Sequence, residues 1–185
     1  MTAVLTIMEG CTPVIEWPAI VRDYGPIVWK TAYRLLSHHD DAADCFQETF
    51  VSAMEVAARQ PVENWPGLLQ KLATSRALDQ LRRRMREARR RTSDSSWEQM
   101  ATSERGPVQE ALDEELGDRL RAALCELTPQ QGAVFCLRWL SELSYEEIAS
   151  ELEISTDAVG VTLHRARARL QKLLGSATGR EEEQR

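Results

Sequence analysis

Residues 76–91 can bury a hydrophobic side and remain soluble only as an amphipathic helix. Their sequence, RALDQLRRRMREARRR, contains eight arginines and two acidic residues. At about 100° per residue, the apolar side chains of this segment fall on one side of a helix. These apolar residues are Ala77, Leu78, Leu81 and Met85. Arg76, Arg83, Arg86 and Arg90 fall on the opposite side. The segment therefore predicts a helix that packs on one side and presents a basic face on the other.

This basic face stands out because the whole chain carries a formal charge of −6. Concentrated arginines suit a phosphate backbone, because neutralised phosphates release counterions and the guanidinium fork matches phosphate oxygens. Nucleic acid is therefore the first hypothesis for the partner of residues 76–91. A solvated helix surface laced with salt bridges is one alternative. An acidic protein partner, which would make the chain an interaction adaptor, is another.

The rest of the chain shows helical spacing and hardly any strand alternation, which predicts an all-α protein of two small helical domains. The first domain is expected over 18–91, with helices at about 18–36, from about 40, and at about 68–90. Gly25-Pro26 is expected to break or kink the first helix. In the second, Asp40 is the predicted N-cap, and the inward side is predicted to hold Ala43, Phe46, Phe50, Met54 and Ala57.

Residues 92–108 differ from their surroundings in being acidic and poor in large apolar residues, and they predict a flexible acidic linker. This linker could shield the basic helix until DNA competes for it, although solubility alone would also explain its charge. Residues 1–17 form an N-terminal extension without a predicted purpose. Residues 176–185 have little to bury and predict a disordered tail.

The second domain is expected over 109–175 and contains a helix-turn-helix. Thr128 and Ser144 each begin a capping-box pattern, and Ser155 is predicted to cap the last helix. Ile154 is expected to fill the turn, where Glu153 occupies a position at which glycine is common. In the last helix, the inward positions are Val159, Leu163, Ala166, Leu170 and Leu173. A helix pair that merely packs in a bundle would show the same spacing.

Composition and spacing argue against several other classes of protein. No window approaches the roughly 18 apolar residues that span a bilayer, and the start of the chain lacks the basic region of a secretion signal. We therefore expect a cytoplasmic protein without membrane insertion. The four cysteines have no C-x-x-C spacing, and Cys45 and Cys136 fit buried positions. No nucleophile–base pair, phosphate loop or metal set is visible, so we expect neither an enzyme nor a cofactor.

Two segments of the first predicted domain and one of the second together resemble the extracytoplasmic-function (ECF) branch of the sigma-70 family. DAADCFQETFVSAMEV resembles the family motif D-A-x-D-x-x-Q-E-T-F, and NWPGLLQKLATSRALDQLRRR resembles its W-L-x-x-I-A-x-N-x-A-L-D-x-x-R-R helix. The stretch from Leu127 to Leu170 is similar almost end to end to region four. The resemblance implies an alternative sigma factor that binds core RNA polymerase and directs the recognition and opening of promoters.

The resemblance also implies roles for individual residues and partners. The surface that docks on the β′ clamp helices of polymerase would comprise Asp40, Asp41, Asp44, Gln47, Glu48 and Phe50. The minus-ten element would be bound by Ser75, Arg76, Asp79, Arg82, Arg83, Arg86 and Arg90. The minus-thirty-five element would be bound by Thr156, Asp157, Gly160, Val161, His164, Arg165, Arg167 and Arg169. The polymerase β flap is a further implied partner, and an anti-sigma factor is a candidate partner.

The chain departs from the family pattern in places that bear on promoter choice. Ser75 stands where the family often has Asn, and Arg76 stands where an apolar residue is usual. A more basic consensus is replaced here by Asp157, Gly160, Val161, Thr162 and His164, so the minus-thirty-five specificity should differ. The closest alternative function is a helix-turn-helix regulator that acts without core polymerase, with the first domain serving dimerisation or sensing.

Overall fold

A computed structural model describes residues 15–94 and 109–182, with side chains over 15–90 and 115–175. The described residues form seven α-helices and no strand, which confirms the all-α prediction. The helices are α1 (Trp17–Leu36), α2 (His39–Ala57), α3 (Trp65–Asp94), α4 (Gln109–Cys125), α5 (Pro129–Trp139), α6 (Tyr145–Leu152) and α7 (Thr156–Glu182).

Several helix boundaries differ from the predicted ones. Pro26 lies inside α1, which continues through it as one helix. α2 begins at His39 with His38 as its N-cap, so Asp40 lies in the first turn and the prediction of Asp40 as N-cap was wrong. There the negative charge of Asp40 still favours the helix, because it faces the positive end of the helix dipole.

The start of α3 precedes the prediction because Asn64 provides a cap. The Gly67 N–H donates to Asn64 Oδ1 at 3.1 Å, and Pro66 can occupy the first turn because that turn needs no proline N–H. At the other end of the chain, α7 continues to Glu182, into the segment 176–185 that was predicted to be disordered. Proline is absent from this stretch, so no residue there must end the helix.

The first three helices pack against one another around a core of their own. Its buried members include Val28, Phe50, Leu69 and Ala73, and the rings of Trp17 and Trp65 meet edge to face with centroids 5.4 Å apart. A second core, which includes Val134, Leu137, Ile148, Val159 and Leu163, joins α5, α6 and α7.

A third core crosses between the first half of the molecule, formed by α1 to α3, and the second half, formed by α4 to α7. From the first half it contains Leu36, Leu78 and Leu81, and from the second it contains Leu124, Leu127, Cys136 and Leu170. Gly132 of α5 allows this approach, because a Cβ there would lie 3.2 Å from both Leu78 Cδ1 and Arg82 Nη2. The halves were predicted as separate domains on a flexible linker. The structure packs them together, whereas residues 95–108 of that linker lie outside the described residues.

Polar contacts reinforce the packing between the halves. Arg89 Nη2 lies 2.6 Å from Glu126 Oε1, and Asn64 Nδ2 donates to Glu151 Oε1 at 2.7 Å. Gly67 lies beside the second contact, where a Cβ would overlap both the Glu151 carboxylate and the Asn64 amide. The contact between α6 and the start of α3 therefore depends on glycine at this position.

Cys45 and Cys136 are fully buried, as the sequence predicted, and burial raises the pKa of their thiols to about 11 and about 12 respectively. Burial also raises the pKa of Cys125. At neutral pH these thiols are protonated and act as small hydrophobic side chains.

Glu151 predicts a pH dependence of stability. Loss of solvation raises its pKa, against the opposing effects of Lys71 and Asn64. A carboxyl with a raised pKa stabilises the fold at low pH, and this contribution is lost as pH rises through the folded-state pKa. We expect Glu151→Gln to increase the free energy of unfolding at pH 7, because the amide oxygen can still accept from Asn64 without a buried charge.

Urea denaturation at pH 7 and pH 5 measures this effect, and the gain should shrink at the lower pH. Glu146→Gln, at an exposed position of the same helix, is the matched control and should show no such gain. A gain for Glu151→Gln that grows as pH falls would contradict the assignment.

Candidate nucleic-acid and protein interfaces

The helix-turn-helix is built by α6, a tight turn and α7. Ser144 caps α6, because the Glu147 N–H donates to Ser144 Oγ at 3.1 Å and the Ser144 N–H donates to Glu147 Oε2 at 2.7 Å. The second bond lowers the pKa of Glu147. Thr128 forms the same capping box on α5, so both predicted boxes are confirmed.

The turn has the backbone geometry that the sequence predicted to be strained. Glu153 has a φ of 55° in the left-handed region, which residues other than glycine adopt at a cost. Ile154 packs into the core shared by α5, α6 and α7, and Ser155 Oγ accepts from the Ala158 N–H at 3.2 Å. The turn therefore fixes the orientation of α7 relative to α6.

α7 divides into a buried side and an exposed side as predicted. Val159, Leu163, Ala166 and Leu170 are buried. Val161 is 50% exposed, and the other exposed predicted minus-thirty-five residues are Thr156, Asp157, His164, Arg165, Arg167 and Arg169. Gly160 is partly exposed. The structure therefore brings these residues onto the outward side of one helix, with its N-terminal end accessible.

Two aromatic residues extend this surface, and the sequence analysis missed both. Trp139, at the end of α5, is 49% exposed, and the Arg167 guanidinium lies 4.8 Å from its ring centroid. Tyr145, at the start of α6, is 38% exposed and lies close to Gly160. Both lie on helices other than α7, so spacing within α7 could not reveal them.

The predicted minus-ten residues do not form one uniform face of α3. Ser75, Asp79, Arg83, Arg86 and Arg90 are exposed. Arg82 is largely buried where the halves meet; it contacts Asp79 Oδ1 at 3.0 Å and Leu127 O at 3.5 Å. In this arrangement Arg82 is covered by the second half.

Arg76 points toward α2, whereas the helical spacing predicted that it would face away from the packed side. Its Nη1 lies 2.8 Å from Glu48 Oε2, and its Nε donates to Ser52 Oγ at 3.1 Å. Arg84 makes a similar link, with Nη1 3.0 Å from Asp41 Oδ2. Two ion pairs therefore connect the basic helix α3 with the acidic face of α2.

Of the residues predicted to form the polymerase-binding surface, Asp40, Asp44, Gln47 and Glu48 are exposed on α2, whereas Asp41 is partly buried. Phe50 is 5% exposed and packs against Phe46, with ring centroids 5.0 Å apart. Its side chain is therefore a core residue, as the helical spacing predicted, and cannot contribute to the exposed face.

Met54 was predicted to face inward, and this was wrong, because it is 43% exposed. The buried side of α2 runs through Cys45, Thr49 and Ala53, which is rotated from the predicted inward side because the larger apolar residues Phe46 and Met54 set the predicted direction. Val51 is 55% exposed. Together with Met54 it continues the exposed stripe of Asp44 and Gln47 along the helix, so the acidic face has an apolar extension.

The described side chains contain no group of three or more His, Cys, Asp or Glu residues placed to hold a metal ion. No helix within 15–94 or 109–182 is long and apolar enough to cross a bilayer.

The turn geometry makes a prediction about stability. Glu153→Gly should raise the free energy of unfolding by about 0.5–1 kcal/mol, because relief of the left-handed penalty outweighs the greater flexibility of glycine in the unfolded chain. Glu146→Gly, at a position inside α6, should lower the free energy of unfolding by roughly the same amount. Thermal or urea denaturation of both variants measures the difference, and a loss of stability in Glu153→Gly would contradict the prediction.

Comparison with known families finds a match for each half of the chain. The family model described as sigma-70 region 2 matches residues 20–87, and the model described as sigma-70, region 4, matches residues 117–170. The first match covers most of α1 to α3, and the second covers the rest of α4 after its first turns, together with α5, α6 and most of α7.

Individual relatives cover most of the chain. It is 31% identical over 173 residues to the ECF RNA polymerase sigma factor SigE of Mycolicibacterium smegmatis, covering 94% of this chain and 67% of that protein. It is 31% identical over 168 residues to the RNA polymerase sigma factor YlaC of Bacillus subtilis, covering 89% of this chain and 94% of that protein.

Among solved structures, the chain is similar to the sigma factor RpoE of Bartonella quintana, solved in complex with the anti-sigma factor NepR. The TM-score is 0.53 at 25% identity, covering 86% of this chain and 97% of that chain. CnrH, solved with the cytosolic domain of CnrY, shares the fold with a TM-score of 0.55 at 21% identity, covering 86% of this chain and 88% of that chain. With both regions present in order and relatives matched along most of its length, the chain belongs to the ECF group of the sigma-70 family of RNA polymerase sigma factors.

Proposed function

We propose that this chain is an alternative sigma factor in which α2 docks on core RNA polymerase, α3 engages the minus-ten element and α7 reads the minus-thirty-five element. The observation that carries the proposal is the separation of charge: an acidic exposed face on α2 and exposed basic faces on α3 and α7 belong to one folded chain. The cycle is one of assembly and needs no covalent chemistry. It takes place in the cytoplasm, where the polymerase acts.

The polymerase contact is assigned to the exposed stripe of α2, with the β′ clamp helices as its partner. Asp44 and Glu48 supply charge, which guides encounter and orientation. Val51 and Met54 supply the apolar area that a stable interface needs at its centre. Arg76 then serves to position Glu48, since the two side chains are paired. The β flap is assigned to the second half of the chain.

The minus-ten contact is assigned to the exposed part of α3. Arg83, Arg86 and Arg90 can neutralise the phosphates of an opened strand, and Ser75 lies on the same exposed side near the start of the basic segment. Cationic contact with the backbone and a pocket for unstacked bases are the features that single-stranded DNA requires. Ser75 has one hydroxyl where the related proteins often have an amide, so the base that it reads should differ.

The minus-thirty-five contact is assigned to the N-terminal half of α7, which a helix-turn-helix inserts into the major groove. Thr156, Asp157, Gly160, Val161, His164 and Arg165 face the bases in this assignment. Arg167 and Arg169, farther along the helix, contact the phosphate backbone. The Trp139 ring holds the Arg167 guanidinium at the edge of this surface.

Promoter binding requires the two halves to separate. The two promoter elements lie about 25 base pairs apart, or about 85 Å at about 3.4 Å for each base pair. A compact body of about 150 residues is only about 40 Å across. The packed arrangement therefore corresponds to the free protein, and polymerase holds the halves apart at the spacing of the promoter. Tethering both modules to one scaffold then raises the effective concentration of each at its element.

An anti-sigma factor is a further proposed partner, because the related RpoE was solved in complex with one. The alternative of a helix-turn-helix regulator that acts without polymerase is not favoured, because the relatives matched along most of the chain are named as RNA polymerase sigma factors.

Reversal of charge on α2 tests the polymerase contact. We expect the double variant Asp44→Lys, Glu48→Lys to bind core polymerase at least about tenfold more weakly, equivalent to about 1.4 kcal/mol. The reason is that two lysines would replace the two carboxylates and would repel the basic surface that the carboxylates are proposed to face. Fluorescence anisotropy of the labelled chain with purified core enzyme measures the affinity. Asp23→Lys, an exposed acidic position on α1, is the matched control, and equal binding by the double variant would refute the docking face.

A larger side chain at the contact between the halves tests whether they pack together in the free protein. In Gly132→Leu the new side chain has no room beside Leu78 and Arg82, so we expect the halves to separate and the radius of gyration to increase. Small-angle scattering of the free protein measures the change, and circular dichroism checks that the helices remain. Gln130→Leu places the same side chain at an exposed position of α5 and should leave the radius unchanged. A compact, folded Gly132→Leu variant would contradict the proposal.

A further inference from the structure

An apolar notch lies on the exposed side of the helix-turn-helix, where α7 passes the start of α6. Tyr145 is 38% exposed and Val161 is 50% exposed. Gly160 precedes Val161, and a Cβ at Gly160 would lie 3.7 Å from Tyr145 Cε2. The edge of the aromatic ring therefore lies beside the partly exposed glycine, and the absence of a side chain at Gly160 leaves the helix surface recessed between the ring and Val161.

Packing within the chain does not account for the position of Val161. The buried side of α7 is formed by Val159 and Leu163, and Val161 lies away from it. Its exposed neighbours on the helix surface are polar or charged: Asp157 one turn earlier, and His164 and Arg165 one turn later. Val161 thus presents its methyl groups to the outside in a surface that is otherwise suited to hydrogen bonding.

The chemistry of the major groove selects the group that such a notch can accept. Guanine, cytosine and adenine present hydrogen-bond donors and acceptors there, whereas thymine also presents a C5-methyl group. Val161 has neither a side-chain donor nor an acceptor, so it can add to recognition only through apolar contact. We propose that Tyr145, Gly160 and Val161 accept the C5-methyl of one thymine in the minus-thirty-five element. This inference rests on the proposed function, in which α7 enters the major groove.

Each of the three residues has a separate role in this contact. Val161 packs against the thymine methyl, and the Tyr145 ring closes the other side of the notch. Gly160 allows the base edge to approach the helix backbone, a role in which an added methyl group would compete with that of thymine. Tyr145 thereby brings α6 into base recognition, in addition to its role in positioning α7.

Replacement of thymine by uracil tests the proposal, because uracil lacks only the C5-methyl. The probe is a promoter selected from a library with a randomised minus-thirty-five element by core polymerase carrying the full chain. Each thymine of the selected element, on either strand, is then replaced singly by uracil. We expect one replacement to weaken promoter binding by about threefold to fivefold, the effect of exposing one buried methyl group.

The variants distinguish a contact with DNA from an effect on folding. Val161→Ala should bind the thymine promoter more weakly and lose most of its discrimination against uracil at that position. Gly160→Ala should raise the thermal midpoint, because alanine favours the helix, and yet should also lose discrimination because its methyl group fills the notch. Leu116→Ala removes an exposed apolar side chain from α4 and should keep the full discrimination.

Several results would overturn the proposal. These are a selected element without thymine, an element in which no thymine responds to loss of its methyl group, and unchanged discrimination in Val161→Ala. Run-off transcription on the unsubstituted promoter separates this failure from a failure of the proposed function. If transcripts appear without any sensitivity to uracil, the notch alone is wrong. If the holoenzyme selects no promoter and yields no transcript, both proposals fall.

Discussion

The packing of α3 against both halves is the interaction on which the rest of the structure depends. Leu69 and Ala73, in its N-terminal part, lie in the core with α1 and α2. Leu78 and Leu81, two turns later, join the core that includes Leu124 of α4. A single helix therefore carries the hydrophobic contacts of both modules and also the main basic segment. Any movement that separates the halves must uncover part of the same helix that carries the exposed arginines.

The charges of α3 are partly neutralised within the chain, and the ion pairs responsible are easily broken. Arg76 pairs with Glu48, Arg84 with Asp41, and Arg89 with Glu126. Exposed ion pairs of this kind contribute only about 0–1 kcal/mol each, because water and salt screen them. They can therefore lower the affinity of the free protein for phosphate backbones without preventing DNA or polymerase from displacing them. This agrees with the proposal that the free protein is packed and that polymerase holds its halves apart on the promoter.

The sequence predicted the fold class, the capping boxes at Thr128 and Ser144 and the exposed side of α7, because these features depend on local spacing and local hydrogen bonds. It failed where contacts between distant segments decide. Met54 has the spacing of a core residue, but the buried stripe of α2 passes through small residues such as Ala53 instead. The covering of Arg82 by the second half was equally invisible, because it depends on residues more than forty positions away along the chain, such as Leu127.

Glycine positions show how the same chain combines packing with recognition. At Gly67 and Gly132, the missing side chain makes room for groups from the other half, so these positions control the closed arrangement. At Gly160 the space opens outward beside Tyr145 instead. A glycine inside a helix reduces stability by about 1 kcal/mol relative to alanine, and a contact that only glycine permits can offset this cost. For Gly132 that contact is with the opposite half of the protein, whereas a Cβ at Gly160 would meet only the Tyr145 ring, and the proposed contact with a thymine methyl would offset the cost there from outside the chain.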